Sequence, residues 1–449
     1  MKTVLIFGAG LSSSSLIKYL LSNSEKLDIQ VTIVDSNIDL ILKKTSAHPR
    51  SEAVCIDALN HSQRWPLIEK ADLVISMLPA RFHTQIAEDC LKASKNLITP
   101  SYLSRELKGM DKEVKEKGLI FLNEVGVDPG IDHMSAMKII DEIREKGGEL
   151  KSFKSFCGGL VAPEYDNNPL RYKFTWNPRN VVLAGQGGAS CFIQEGQYKY
   201  IPYNRLFQRT ETIEIPGFGA FEGYANRDSL KYRKIYGLDE IPTIYRGTLR
   251  RPGYCKFWSS LIDLGLTDDS YSMERSESLN PRSYLNTFLP YDLSKPVETK
   301  MKEFLGEGGE DILEIYRWLG FFEPMPPIGI VDASPAQVLQ KILESKLQLE
   351  EGDKDMLVMY HEFIYELNGS KHKVTSHMVN LGIDKTYTSM SNTVGYPVAI
   401  CAKLILDGTI SEKGSLLPLS KGVYEPVLKE LESLGVTFIE EEGQLQDYS

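Results

Sequence analysis

Residues 3–22, TVLIFGAGLSSSSLIKYLLS, decide how the chain begins. Thr3 to Phe7 form a short β-branched and apolar run, Gly8, Ala9 and Gly10 interrupt it, and Leu16, Ile17, Leu20 and Leu21 then recur at helical spacing. The order is strand, glycine turn, helix. Outward from it, the same alternation continues through QVTIVD, AVCID, ADLVISMLP, NLITPSY and LIFLNEVG, with polar amphipathic stretches between them. Runs that are apolar throughout belong to strands covered on both faces, which predicts a parallel sheet with helices above and below it.

The glycine turn has a specific physical use. One glycine tolerates the dihedrals of a tight turn, and a second lets the backbone approach a pyrophosphate, which then lies against the positive end of the next helix. Gly8 and Gly10 supply these positions, while Ser13 stands where a third glycine is usual, inside the run Ser12 to Ser15 whose hydroxyls suit a cap or a phosphate contact. Asp35 ends the second strand at the separation expected of a carboxylate that accepts hydrogen bonds from the adenosine ribose. Together these features predict a Rossmann-like domain for a nicotinamide dinucleotide. A carboxylate there repels a 2′-phosphate, so NAD is expected over NADP; the competing role for Asp35 is to cap the helix starting near Asn37.

The 449 residues exceed one compact core, so two or three domains are expected. Hydrophobic residues make up 42% and charged residues 25%, an ordinary globular balance, and the whole chain should fold. MKTVLIFGAG runs straight into glycines without a secretory cleavage site, and no stretch approaches the ~20 apolar residues of a membrane span. A soluble cytoplasmic protein is expected. The six cysteines lack CxxC spacing and the seven histidines lack HxxxH or HExxH spacing, which argues against a disulfide framework or a metal site. A net charge of −10 argues against nucleic acid as a partner.

Five segments are too distinctive for a generic dinucleotide-binding chain: NEVGVDPGIDHMSA (123–136), CGGLVAPEYDNNPLRYKFTW (157–176), YANRDS (224–229), YRGTLRRPGY (245–254) and LILDGTISEKG (404–414). In this order, and over nearly the full chain, the sequence resembles saccharopine dehydrogenases of the glutamate-forming type. The resemblance implies an α/β fold in three parts: a Rossmann-like parallel sheet domain at 1–130 with a returning segment near 388–415, a mixed α+β substrate and dimerisation domain at 131–257 and 350–387, and a small helical domain at 258–349. A homodimer is the implied assembly. The runs EDILEIYRWLGFF and AQVLQKILESKL have helical period, and MLVMYHEFIYEL (356–367) reads as a strand.

The implied reaction is nicotinamide-dependent oxidation of a secondary amine, saccharopine, to an imine, then hydrolysis to glutamate and 2-aminoadipate 6-semialdehyde. Saccharopine carries three carboxylates, and from Arg227 to Arg251 seven basic residues face three acidic ones inside an acidic chain. By match to the family, Ser101, Tyr102, Asp128, Arg227, Thr248, Leu249 and Arg250 contact substrate, with Arg227 and Arg250 as carboxylate anchors. Asp128, Tyr102 and Cys157 are the implied catalytic group, positioning amine and water without one indispensable base. Cofactor contacts implied by match, beside Gly8, Gly10, Ser12, Ser13 and Asp35, are Leu11, Ser36, Asp57, Leu78, Ser101, Val127, Asp128, Pro129 and Thr175. His133 begins an apolar helical run and is expected as a structural cap. Two other functions compete: a carboxynorspermidine-type or other opine-like imine reductase, and a cofactor-binding regulator without turnover.

Overall fold

The computed structural model describes residues 1–445 and groups the chain into two compact units, Met1–Leu150 with the chain from Tyr365 onward, and Lys151–Ile364. In chain order the strands are β1 (Lys2–Phe7), β2 (Ile29–Asp35), β3 (Ser51–Cys55), β4 (Leu73–Ser76), β5 (Asn96–Ile98), β6 (Ile120–Leu122), β7 (Glu149–Val161), β8 (Ser190–Gln194), β9 (Gln197–Ile201), β10 (Thr210–Ile215), β11 (Gly219–Ala225), β12 (Thr243–Arg250), β13 (Asp355–Leu367), β14 (Ser370–Leu381), β15 (Gly414–Leu416) and β16 (Phe438–Gln444).

In the first unit seven strands form one sheet in the order β15-β6-β5-β4-β1-β2-β3, every neighbouring pair parallel. Val4, Ile6 and Phe7 of β1 and Leu73, Val74 and Ile75 of β4 are fully buried. Each such side chain contributes about 1.5–3 kcal/mol by leaving water, which is why apolar runs rather than alternating ones made these strands. The strand order reverses between β1 and β4, so the carboxyl ends of those strands open the crevice where ligands of doubly wound sheets bind. Helices α1 (Ser14–Ser22) and α2 (Ile38–Thr45) follow β1 and β2.

The returning segment completes this unit. Helix Ser389–Leu406 packs on α1, and β15 adds a parallel strand beyond β6. Ser15 Oγ lies 3.0 Å from Ser391 Oγ and donates to Asn392 Oδ1 at 2.7 Å, and a Cβ on Gly395 would stand 2.7 Å from the Leu16 amide nitrogen. The Ser15 hydroxyl is therefore engaged by the helix that lies against it.

In the second unit the sheet order is β10-β11-β12-β7-β13, with β12 and β7 parallel, β10, β11 and β12 antiparallel, and the β8–β9 hairpin joined to β12 through Ile244 and Ile193. This is the expected mixed sheet. The Phe156 ring occupies the space that Cβ atoms on Gly223 and Gly247 would need, at 2.7 and 2.5 Å, so those glycines make room for the core. Residues 258–349 continue helix Tyr254–Asp263 and add helices Pro281–Phe288, Val297–Leu305, Glu310–Trp318 and Pro335–Leu347. Among the described residues no helix is long and apolar enough to cross a membrane, and no cluster of three or more side chains suited to a metal is present.

Candidate active site

At the first glycine turn, Gly8 has φ +101°, and a Cβ there would press on the Met77 carbonyl at 3.0 Å. Gly10 has open space around its missing Cβ, and Gly10, Leu11 and Ser12 are accessible. That is the geometry a pyrophosphate needs to reach main-chain amides at the start of a helix. Ser13 is buried and donates to the Gly10 carbonyl at 2.8 Å, so its hydroxyl holds the turn together.

Asp35 has a larger part in this turn than its position at the end of β2 reveals. One carboxylate oxygen accepts from the Ala9 amide at 2.8 Å and the other from the Asn37 amide at 3.0 Å. The cap of α2 is Asn37, whose side chain accepts from the Asp39 amide, so the capping role considered for Asp35 falls to its neighbour. The Lys44 ammonium donates to the Gly10 carbonyl and reaches Ser13 Oγ, and burial pulls its pKa down to about 8 against the pull of Asp35. The argument for NAD from Asp35 is thereby weakened: both oxygens already hold backbone amides and a cation stands beside them. Ser36 and Asp57 are exposed and Leu78 half-buried beyond the same strand ends. Asp57 caps its own loop by accepting from the Leu59 amide at 2.9 Å.

The carboxyl ends of β5 and β6 bring a second group together. The loop 126–130 is held by bonds from the Gly126 amide to the Pro129 carbonyl and from the Ile131 amide to the Gly126 carbonyl, both 2.9 Å. A Cβ on Gly126 would lie 3.0 Å from the Pro100 carbonyl, so this loop touches the one carrying Ser101 and Tyr102. Tyr102 Oη donates to Asp128 Oδ1 at 3.2 Å, and both side chains are half-buried at the edge. Val127 and Pro129 are buried around them, with a cis bond between Asp128 and Pro129.

Two buried groups here carry no sequence signal. Glu124 accepts from the Leu103 amide at 2.9 Å and meets His133 Nε2 at 2.8 Å, so His133 braces the loop instead of capping a helix. His83 lies between Ser76 and Ser101, 2.8 Å from each hydroxyl.

In the second unit, the register Thr248–Cys157, Thr248–Tyr224 and Arg250–Glu222 puts Cys157, Thr248, Tyr224 and Arg250 on one face of the sheet. Leu249 faces the other side, fully buried, and its carbonyl accepts from Arg250 at 2.8 Å. Arg250 is 4% exposed. Its guanidinium carbon lies 5.2 Å from the ring centroids of both Tyr172 and Tyr254, and no carboxylate pairs with it among the described residues. Arg250 Nε, the Tyr172 hydroxyl and Thr175 Oγ1 are buried without hydrogen-bond partners among the described residues. Burying a charge without a counter-ion is unfavourable unless a ligand supplies one.

Three other arginines of the basic stretch are engaged locally. Arg246 lies 4.0 Å from the Tyr232 ring, Arg251 donates to the Phe218 carbonyl, and Arg233 donates to Tyr198 Oη. Arg227 is exposed just past β11 with φ +49°, on the order of 15 Å along the ladder from Arg250. The two anchors are thus spaced apart, one buried and one open.

Comparison with known proteins decides the family. The family model for the saccharopine dehydrogenase NADP binding domain matches residues 4–122, and that for the saccharopine dehydrogenase C-terminal domain matches 126–436. The chain belongs to the saccharopine dehydrogenase family. It is similar to saccharopine dehydrogenase [NADP(+), L-glutamate-forming] of Saccharomyces cerevisiae, 35% identical over 443 residues and 96% of each chain. It is also similar to the mitochondrial alpha-aminoadipic semialdehyde synthase of Mus musculus, 36% identical over 97% of this chain but only 47% of that protein. The apo saccharopine dehydrogenase (L-Glu forming) structure from Saccharomyces cerevisiae superposes with a TM-score of 0.91 at 33% identity, covering 99% of this chain and all of that one. As a member of this family the chain is an oxidoreductase that works with a nicotinamide dinucleotide.

Proposed function

We propose that the chain is a glutamate-forming saccharopine dehydrogenase that interconverts saccharopine with glutamate and 2-aminoadipate 6-semialdehyde in lysine metabolism. The observation that carries it is Arg250: a buried guanidinium, walled by tyrosines and without a carboxylate partner among the described residues, suits a ligand that brings its own carboxylates. The full-length likeness to the yeast enzyme supports this substrate over the imine-reductase and regulatory alternatives.

The residues at the glycine turn fit a dinucleotide, with Gly10, Leu11 and Ser12 accessible at the phosphate position. Bound there, it supplies the hydride acceptor. The chain's own residues do the rest: Arg250 and Arg227 fix carboxylates, Thr248 and Cys157 line the face beside Arg250, and the Tyr102–Asp128 pair holds a proton at the edge that carries the amine and its water. NADP is the proposed cofactor, supported by the names of the relatives, by the occupied oxygens of Asp35 and by the cation of Lys44. NAD is the second possibility, which the negative charge of Asp35 favours. Six free thiols suit a reducing compartment, and a cytoplasmic homodimer is proposed.

Purified protein supplied with saccharopine and either dinucleotide should release one glutamate per reduced dinucleotide. The expected catalytic efficiency is higher with NADP. Better efficiency with NAD reverses the cofactor assignment, and no glutamate with either removes the substrate.

A further inference from the structure

Three buried or half-buried side chains of the first unit form a line from β4 to the ligand edge: Ser76, His83 and Ser101. Ser76 ends β4, His83 opens the helix His83–Ala93, and Ser101 follows β5, so the parallel sheet brings their side chains together. His83 Nδ1 is 2.8 Å from Ser76 Oγ, and Nε2 is 2.8 Å from Ser101 Oγ. The ring is 3% exposed and Ser76 is fully buried, whereas Ser101 is half-buried and open on one side.

Burial sets the direction of these hydrogen bonds. It holds the imidazole pKa down at about 4, so near neutral pH the ring carries one proton, on one nitrogen. If that proton were on Nδ1, it would point at Ser76 Oγ, and the Ser76 hydroxyl hydrogen would have no acceptor in a dry site, because the ring is its only hydrogen-bond partner among the described residues. Ser76 must therefore donate to Nδ1. The ring proton then sits on Nε2 and donates to Ser101 Oγ. Ser101 has now used an acceptor position on His83, and its own hydrogen is left to point to the open side.

We propose that His83 is a positioning residue that fixes Ser101 as a hydrogen-bond donor toward an acceptor oxygen of the ligand. Neutral imidazole between two serines acts as a one-way chain: the buried serine donates in, the ring donates on, and the outer serine donates out. The oxygen it meets belongs to the dinucleotide or to a substrate carboxylate; these share one chemistry and separate by experiment. The assignment rests on the first unit binding the dinucleotide and substrate as proposed above.

The test uses the full chain, four single variants and one double variant. Ser101→Ala should weaken one parameter, either dinucleotide affinity by direct titration or KM for saccharopine, by about tenfold, the cost of one lost ligand hydrogen bond. Which parameter moves names the source of the oxygen. His83→Asn, whose amide reaches only toward Ser76, should move that parameter as Ser101→Ala does, and the double variant should be no worse than either single one. His83→Gln, which replaces the Nε2–H with an amide donor, should recover most of it. Ser76→Ala should weaken the same parameter by a smaller factor although Ser76 never touches a ligand. Additive effects, equal behaviour of the Asn and Gln variants, or a Ser76→Ala variant at wild-type values would overturn the proposal. A wild-type protein that binds dinucleotide but ignores saccharopine defeats the substrate assignment alone, and the titration arm still decides the role of His83.

Discussion

The glycine turn of the first unit and the Arg250 face of the second treat charge in opposite ways. At the turn, Asp35 is fully answered by the chain itself: two main-chain amides on its oxygens and the Lys44 ammonium close by. On the Arg250 face a more deeply buried charge meets tyrosine rings, the Tyr254 hydroxyl and one carbonyl, with Nε unpaired and no carboxylate beside it among the described residues. A site whose charges are satisfied is already in its working shape before a ligand arrives. One that holds an unsatisfied charge is less stable empty than filled, and it selects for whatever completes it.

The contrast breaks most visibly at Arg250. Arg250→Met should lower kcat/KM for saccharopine by about a hundredfold or more while dinucleotide affinity stays at the wild-type value. A parallel loss of dinucleotide affinity would mean that the variant had damaged the fold. At the turn the expected effect is smaller and of the other kind. Asp35→Ala leaves the Ala9 amide without its acceptor, so dinucleotide titration should show binding weakened by about tenfold and chemical denaturation a loss of ~1 kcal/mol.

Two further predictions concern pH. Lys44 has a folded-state pKa near 8, below the ordinary lysine value, so its charge at the turn fades as pH rises through about 8. Dinucleotide affinity should fall several-fold over that range, and Lys44→Arg should abolish the fall. Its depressed pKa also means that the unfolded chain binds the proton more tightly, so this residue adds stability on the alkaline side of 8. His83 gives the smallest effect and concerns stability alone. Its pKa of about 4 lies below the ordinary histidine value, so its neutral contribution is complete above about 6.5 and is lost as pH falls toward 4. Thermal unfolding of His83→Gln should show a shallower acid decline than wild type.

Much of the fold could be read from residue patterns because burial leaves a linear record. The β1 run matches a segment recognised in the sequence, since it is apolar over its own length, whereas the returning helix at 389–406 was implied only by the family resemblance. β15 could not be read that way: three residues, Gly414–Leu416, make a strand only because Ile120–Leu122 offers an open edge nearly three hundred positions away. The serines at 12–15 looked alike in sequence, yet Ser15 meets a helix, Ser13 holds the turn and Ser12 is accessible, a division made by tertiary contact. His83 and Glu124 were invisible for the same reason. Nothing near either residue announces a partner; parallel strands deliver Ser76, Ser101 and Leu103 to them. Arg250 was legible as a type of residue, but its lack of a counter-ion is a property of the folded neighbourhood.

The most direct test is thermal unfolding of the wild type and of Arg250→Met, each with and without saccharopine. The account predicts that the ligand raises the midpoint of the wild type and leaves the variant unchanged, while the empty variant melts at or above the empty wild type because a buried unpaired charge has gone. A variant that melts well below the wild type and is still stabilised by saccharopine would contradict it.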